Sequence, residues 1–177
     1  IYVIEAWTAQ FATWRRDFLL KREAGQAGTL EALEGAALLT AARLRQAGFE
    51  SIRIVERGAD VGGTWYWNRY PGVACDVIAY DYLPLLDEMG YVPTRHYAEG
   101  PEILDHCRAI AERYDLYELA VFQTTVTSTV WDPDERMWHV GTDRGDRMRA
   151  QFVICANGTL SKPKLARIDG MEDFERD

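Results

Sequence analysis

The period of the apolar positions changes several times along the chain, and each change marks an expected element. Ile4, Trp7, Phe11, Trp14 and Phe18 recur at spacings that alternate between three and four, which puts them on one face of a helix over residues 1 to about 24. Arg15, Arg16, Asp17, Lys21, Arg22 and Glu23 keep the rest of that helix polar. The stripe is narrow and its bases are offset by acids, so it reads as a packing face rather than a membrane face. A second helix is expected from Ala36 to Gln46, closed by Gly48. Ser51-Ile-Arg-Ile-Val-Glu56 then reads as a short buried strand that ends on an acid.

Further along, Gly100-Pro101-Glu102 opens another helix, with proline in the first turn and an acid at the positive end. Its apolar face is Ile103, Leu104, Cys107, Ile110, Ala111 and Tyr114. Val121 to Trp131 alternates as a strand, Asp132-Pro-Asp-Glu makes a turn, and Met137 to Thr142 makes the next strand. After the turn at Arg144-Gly145, Phe152-Val-Ile-Cys155 is a continuous apolar run of the kind found in buried parallel strands. The pattern as a whole predicts an α/β protein whose β-meander feeds back into a central sheet. His96 and His139 stand without partners at metal-ligand spacing, His106 lies on a helix, and no metal site is expected.

The stretch with the most chemistry runs from Gly62 to Asp76, Gly-Gly-Thr-Trp-Tyr-Trp-Asn-Arg-Tyr-Pro-Gly-Val-Ala-Cys-Asp. Gly62 and Gly63 allow a tight turn and a close approach, and Pro71-Gly72 makes a second turn. Aromatics this dense need a large flat partner. Either the loop packs on its own domain or it cradles a ligand. The preceding helix, strand and terminal Glu56 favour a ligand, because that order is the second half of a dinucleotide-binding βαβ unit. In such a unit the acid binds a ribose hydroxyl.

Gly63-x-Trp65-x-x-x-x-Tyr70-Pro71-Gly72-x-x-x-Asp76 resembles the longer fingerprint of Baeyer–Villiger monooxygenases, flavoproteins that use FAD and NADPH. The resemblance runs from about Ala36 to the end of the chain. It implies an incomplete dinucleotide-binding, Rossmann-like FAD domain over residues 31–177, preceded by an N-terminal helical extension over residues 1–30. It also implies insertion of one oxygen atom from O2 into a ketone to give an ester or lactone. Glu56 would hold the ribose of the FAD adenosine. Gly62, Gly63, Thr64, Trp65, Tyr66 and Trp67 would wrap the flavin, with Tyr82 and Val126 as further contacts. Asp76 would be the catalytic residue, standing near the flavin and nicotinamide and helping to arrange the charged active site. Ala74 stands where the family often has an arginine, which removes one NADPH contact. The Ala-x-Gly turn of the family is matched by Asn157-Gly158, although an ordinary strand-to-loop glycine reads as well there.

One part departs from the family. A strand and Gly-x-Gly-x-x-Gly should precede the helix at Ala36, but the chain has Gly25-Gln-Ala-Gly-Thr-Leu-Glu-Ala-Leu-Glu-Gly35. In register, Ala32, Glu34 and Ala37 stand where the glycines belong, and a carboxylate at Glu34 would repel a pyrophosphate. Either the stretch is damaged by a frameshift or an assembly error, the reading favoured because everything after Ala36 fits again, or tight FAD binding has been lost. For the chain as it stands, weak or absent FAD binding is expected. The chain begins at Ile1, which reads as a fragment, and the NADPH domain is expected beyond Asp177. Sibling flavoproteins that oxygenate nitrogen or sulfur, and a non-catalytic relic, are the other readings.

Composition adds limits rather than direction. A length of 177 residues, 47% apolar and 27% charged, suits one globular domain. A net charge of −8 without a basic run argues against nucleic-acid binding. Cys75, Cys107 and Cys155 have neither zinc nor disulfide spacing, which points to reduced thiols in a cytoplasm. No run is long and apolar enough for a membrane span, and oligomeric state is left open.

Overall fold

The computed structural model describes residues 2–4, 31–158 and 168–170, with side chains described from residue 38 onward. The architecture is mixed α/β, with a four-stranded sheet, a separate three-stranded sheet and helices of very different length.

Strand β1 (Tyr2–Ile4) lies inside the larger sheet, between β2 (Ile52–Val55) and β7 (Phe152–Ile154), and β3 (Ala120–Val121) completes the order β3-β2-β1-β7. The helix expected from residue 1 is thus corrected at its start. Tyr2-Val3-Ile4 is aromatic and β-branched, and its backbone pairs with strands on both sides, which outweighs the helical spacing. The rest of that expected helix, through residue 24, lies outside the described residues. β1 is antiparallel to both neighbours, while β2 and β3 are parallel. It follows that β2, β3 and β7 run one way and β1 alone runs the other. The run at Phe152–Cys155 therefore does form a strand, but its paired neighbour is antiparallel and its residues are half-buried.

Helix α1 (Glu31–Gln46) begins five residues before the expected Ala36. Glu31, Ala32, Leu33 and Glu34 are strong helix formers, and Gly35 inside the helix costs only about 1 kcal/mol against alanine. Its end is as the sequence predicts. Gly48 takes φ +85°, its N–H bonds the Arg45 carbonyl, and the Phe49 N–H bonds the Leu44 carbonyl.

Three one-turn helices, α2 (Thr64–Trp67), α3 (Ala79–Tyr82) and α4 (Leu86–Met89), connect β2 to the long helix α5 (Gly100–Arg113). A further single turn, α6 (Leu116–Leu119), leads into β3. The apolar face of α5 is the one read from sequence, and Ile103, Leu104, Ile110 and Ala111 are all buried. Two cores meet on it. One joins Leu38, Ala41 and Ala42 of α1 to Ile52 and Ile54 of β2, Ile110 and Ala111 of α5, and Leu116 of α6. The other joins Ile103 and Leu104 to Trp65, Val73, Cys75, Ala79 and Leu83.

The expected strand from Val121 to Trp131 divides in two. β3 stops at Val121 and β4 (Val126–Asp132) starts a three-stranded antiparallel meander with β5 (Met137–Thr142) and β6 (Arg147–Ala150). Gln123 sits in the left-handed region at φ +52°. Its N–H bonds the Gly58 carbonyl at 2.8 Å, and the Thr124 N–H bonds the Glu56 carbonyl at 3.0 Å. Those bonds to the tip of β2 break the alternation that the sequence carries unbroken. Arg43 pairs with Glu88 and Arg95 with Glu99 across the surface, contacts that contribute little each.

Candidate functional site

The parallel pair β2–β3 carries its C-terminal ends to one edge, where α/β sheets place their ligands. Glu56 stands at that edge. Its N–H bonds the Val121 carbonyl, its carbonyl takes the Thr124 N–H, and its Oε1 accepts the Gly58 N–H at 2.6 Å. A Cβ on Gly58 would lie 3.0 Å from the Tyr66 ring and 3.1 Å from Glu56 Oε1, so the backbone there is closely covered.

Gly62 and Gly63 both hold positive φ, +114° and +50°. At Gly62 a Cβ would meet Leu104 Cδ1 at 2.4 Å, while beside Gly63 the space is open. The first glycine is therefore required by packing on α5, and the second faces outward. The Gly62 and Gly63 carbonyls accept the N–H groups of Trp65, Tyr66 and Trp67, which starts α2 directly from the turn. The Thr64 carbonyl ends it by accepting from the Asn68 backbone at 2.9 Å and from its side chain at 2.9 Å.

The aromatic residues of α2 divide by role. Trp65 is 8% exposed and donates its Nε1–H to the Tyr82 oxygen at 2.8 Å, the rings meeting edge to face at 5.9 Å. It anchors the loop to α3 inside the second core. Trp67 is 52% exposed and Tyr66 half-buried. Their rings pack edge to face at 5.0 Å, with the Arg57 guanidinium over Trp67 and that of Arg69 over Tyr66, each 4.9 Å from the ring centroid. Replacing Trp65 with phenylalanine removes one buried hydrogen bond while keeping most of the packing. The expected loss is about 1–2 kcal/mol, read from the urea midpoint; an unchanged midpoint would show that the Tyr82 contact does not hold the loop.

Asp76 is exposed, and no backbone amide among the described residues caps its carboxylate. The backbone just before it is fixed, since the Cys75 N–H bonds the Ala98 carbonyl and Ala74 bridges to Glu99. Val126 lies apart from this loop in the hydrogen-bond pattern, at the start of β4 opposite Thr142, and it packs with Val140 and Ala150 of the meander.

Asp60, Arg108 and Tyr117, which the sequence gave no reason to single out, form a hydrogen-bonded group just before the glycine turn. The carboxylate of Asp60 accepts the Val61 N–H at 2.8 Å, the Tyr117 hydroxyl at 2.9 Å and the Arg108 Nε–H at 2.9 Å. Burial disfavours its charge, but the bonds from Arg108, Tyr117 and Val61 together outweigh that and hold its pKa below the ordinary value. The Tyr117 hydroxyl is pushed up, first by burial and then by Asp60. Glu102 similarly ties Tyr91 and Thr94 to the start of α5, and the Tyr91 hydroxyl rises to about 12, mainly through burial. His106 is a core residue whose Nε2 lies 2.7 Å from the Pro84 carbonyl. Burial lifts the Cys107 thiol to about 11, which makes it inert.

His139 corrects its expected isolation. The β4–β5 hairpin brings its Nε2 to 3.2 Å from Glu135 and 3.8 Å from Asp132, and Arg149 pairs with Glu135 on the same surface. None of the three cysteines forms a disulfide among the described residues, and no described helix is long and apolar enough to cross a membrane.

The edge that carries Glu56, Gly62, Gly63 and the aromatic turn suits a dinucleotide, because it presents an acid, an open glycine and flat rings together. The opposite half does not suit one. α1 already includes Ala32, Glu34 and Ala37, so these positions are helical rather than a turn that exposes N–H groups, and β1 runs against β2.

Comparison with known proteins gives relatives and solved structures that cover about three quarters of the chain. Neopentalenolactone D synthase of Streptomyces avermitilis is 55% identical over 139 residues, which cover 78% of this chain and 23% of that protein. A Baeyer–Villiger monooxygenase of Streptomyces coelicolor is 54% identical over 138 residues, covering 78% and 23%. Among solved structures, the polycyclic ketone monooxygenase of Thermothelomyces thermophila superposes with a TM-score of 0.68 at 40% identity, over 76% of this chain and 23% of that one. OTEMO in complex with FAD and NADP gives 0.67 at 32% identity, over 78% and 26%. One family description, the N/S domain of alpha-1,4-glucan:maltose-1-phosphate maltosyltransferase, matches residues 1–62 and leaves out α2 and everything after it. The relatives are flavin-dependent monooxygenases. Within that class, the chain is related to the Baeyer–Villiger monooxygenases, and it spans about a quarter of the length of the relatives it matches.

Proposed function

We propose that the chain is the FAD-binding portion of a Baeyer–Villiger monooxygenase, which inserts one oxygen atom from O2 into a ketone at the expense of NADPH. The observation that carries this is the glycine turn at Gly62–Gly63 running straight into the Thr64–Trp67 helix at the C-terminal edge of β2, beside Glu56. The parallel pair β2–β3 and the shared direction of β7 support a Rossmann-like reading for that part of the sheet, whereas the reversed β1 between β2 and β7 departs from it. Residues 31–177 would form part of the FAD domain, with NADPH bound by a domain outside them. The free thiols of Cys75, Cys107 and Cys155 support a cytoplasmic location.

FAD would supply the redox chemistry and the activation of O2. The residues of this chain bind and orient it. Glu56 keeps Oε2 for a ribose hydroxyl while Oε1 holds the Gly58 amide. Gly63 allows close approach of the backbone, and Thr64, Tyr66 and Trp67 present the surface that the rings of the cofactor would cover. Trp65 and Tyr82 act behind that surface by fixing α2. Val126 would serve only through the meander. Asp76, exposed and without a backbone cap among the described residues, would help to set the charge of the active site beside the nicotinamide.

The test is Asp76→Ala in a full-length monooxygenase that carries these residues. Turnover is expected to fall by about 100-fold or more, within the range of a lost electrostatic contribution, while FAD remains bound. A loss of FAD with no separate kinetic defect would reduce Asp76 to a binding role. The helical run through Glu34 favours a second reading for this chain by itself, a non-catalytic relative that has lost tight FAD binding. Related enzymes that oxygenate nitrogen or sulfur share the cofactor logic, and a ketone screen separates them.

A further inference from the structure

We propose that Asp60 is a positioning residue that sets the geometry of the glycine turn at Gly62–Gly63, acting through a clamp formed with Arg108 and Tyr117. The inference rests on the reading above, in which that turn faces FAD.

The carboxylate of Asp60 gathers donors from three parts of the fold. Oδ1 accepts from the Val61 backbone in its own loop and from Tyr117 of α6, and Oδ2 accepts from Arg108 of α5. Arg108 is itself oriented by Asp105, three residues earlier on α5, through a bond of 3.1 Å. One turn before Arg108, Leu104 fills the space that a side chain on Gly62 would occupy. Residues four apart on a helix share a face. One face of α5 therefore fixes the loop at both residue 60, by charge, and residue 62, by shape. Only two residues separate Asp60 from Gly63, so the positive φ of both glycines and the start of α2 follow from those two fixed points. Asp60 touches neither the open side of Gly63 nor the exposed face of Trp67. It acts by holding the residues that do.

A partly exposed ion pair contributes little to global stability. A charge-assisted bond that orders a binding loop has a larger local effect, because a ligand then meets a turn already in place. The two consequences separate experimentally.

Hydrogen exchange is measured on the whole chain without cofactor, for the wild type, Asp60→Asn, Arg108→Met, the double variant and Tyr117→Phe. The expected result is about tenfold faster exchange over residues 57–67 in Asp60→Asn and Arg108→Met, the size expected for one charged hydrogen bond. The double variant should be no faster than the singles, because both remove the same bond. Tyr117→Phe should show a smaller change of the same kind, and it keeps the test valid if a charge variant fails to fold. Exchange in α1 and the buried part of α5, and the midpoint of thermal unfolding, should barely move. Unchanged exchange over 57–67, or additive effects in the double variant, would overturn the clamp.

Flavin titration by fluorescence gives the second reading. Where the wild-type chain binds FAD, the charge variants should bind it about tenfold more weakly at an unchanged melting temperature. Faster exchange with unaltered FAD affinity would make Asp60 structural only and overturn its positioning role. A wild type that takes up no FAD is the result expected from the helical run through Glu34, and the exchange data alone then decide the clamp.

Discussion

Replacing residues 1–37 with an apolar strand followed by a Gly-x-Gly-x-x-Gly turn is expected to tighten FAD binding by at least about 100-fold. The half of the site that follows β2 is in place, with Glu56, the open Gly63 and the aromatic turn. At the start of α1 the arrangement is wrong for a pyrophosphate. A dinucleotide needs N–H groups free at a helix start, with no side chain between them and the phosphates. Here the helix already runs through residues 32, 34 and 37, and residue 34 is a glutamate. Two restored charge-assisted bonds of about 1.5–3 kcal/mol each give the 100-fold or more. The native chain should correspondingly leave gel filtration colourless after incubation with FAD. A yellow native protein with a perturbed flavin spectrum would show that the aromatic edge suffices without the pyrophosphate turn.

The largest effect on stability is expected at Ile110. Its side chain is fully buried where α5 meets α1 and β2, among Leu38, Ala42, Ile54 and Leu116. Ile110→Ala removes three carbon atoms from a core closed on every side, and the surrounding helices cannot collapse into the space. The cost is about 2–5 kcal/mol, a large part of the roughly 5–15 kcal/mol that holds a domain together. Val130, 59% exposed on β4, is the control, and its alanine variant should change stability by no more than about 0.5 kcal/mol. Urea unfolding checks both through the shift of midpoint at constant slope. Equal shifts for the two variants would mean that the shared core of α1, β2 and α5 is not what stabilises the fold.

The elements legible in advance were those whose cause is local. Gly48 ends α1 because only its backbone takes that turn cheaply. Pro101 and Glu102 start α5, and the apolar face of that helix follows from its period. Asp132-Pro-Asp-Glu turns because the Asp132 side chain accepts the N–H groups of Asp134 and Glu135. The elements misread were decided by distant partners. Tyr2–Ile4 carries a helical spacing, yet the neighbours β2 and β7 make it a strand. Gln123 interrupts an alternating run because the Gly58 carbonyl takes its N–H and the Glu56 carbonyl takes that of Thr124.

The candidate site divides on the same line. The sequence by itself determined the Gly62–Asp76 loop, the acid at the end of β2 and the missing glycines before α1, because each is a matter of residue type at fixed spacing. Only the tertiary structure decided that Trp65 is an anchor while Trp67 faces solvent, that α5 requires the glycine at position 62, and that Asp60 is held by groups 48 and 57 residues away. Spacing along a chain records what one loop can do. Which of its side chains are buried, and what holds them, depends on contacts that form only when separate elements pack together.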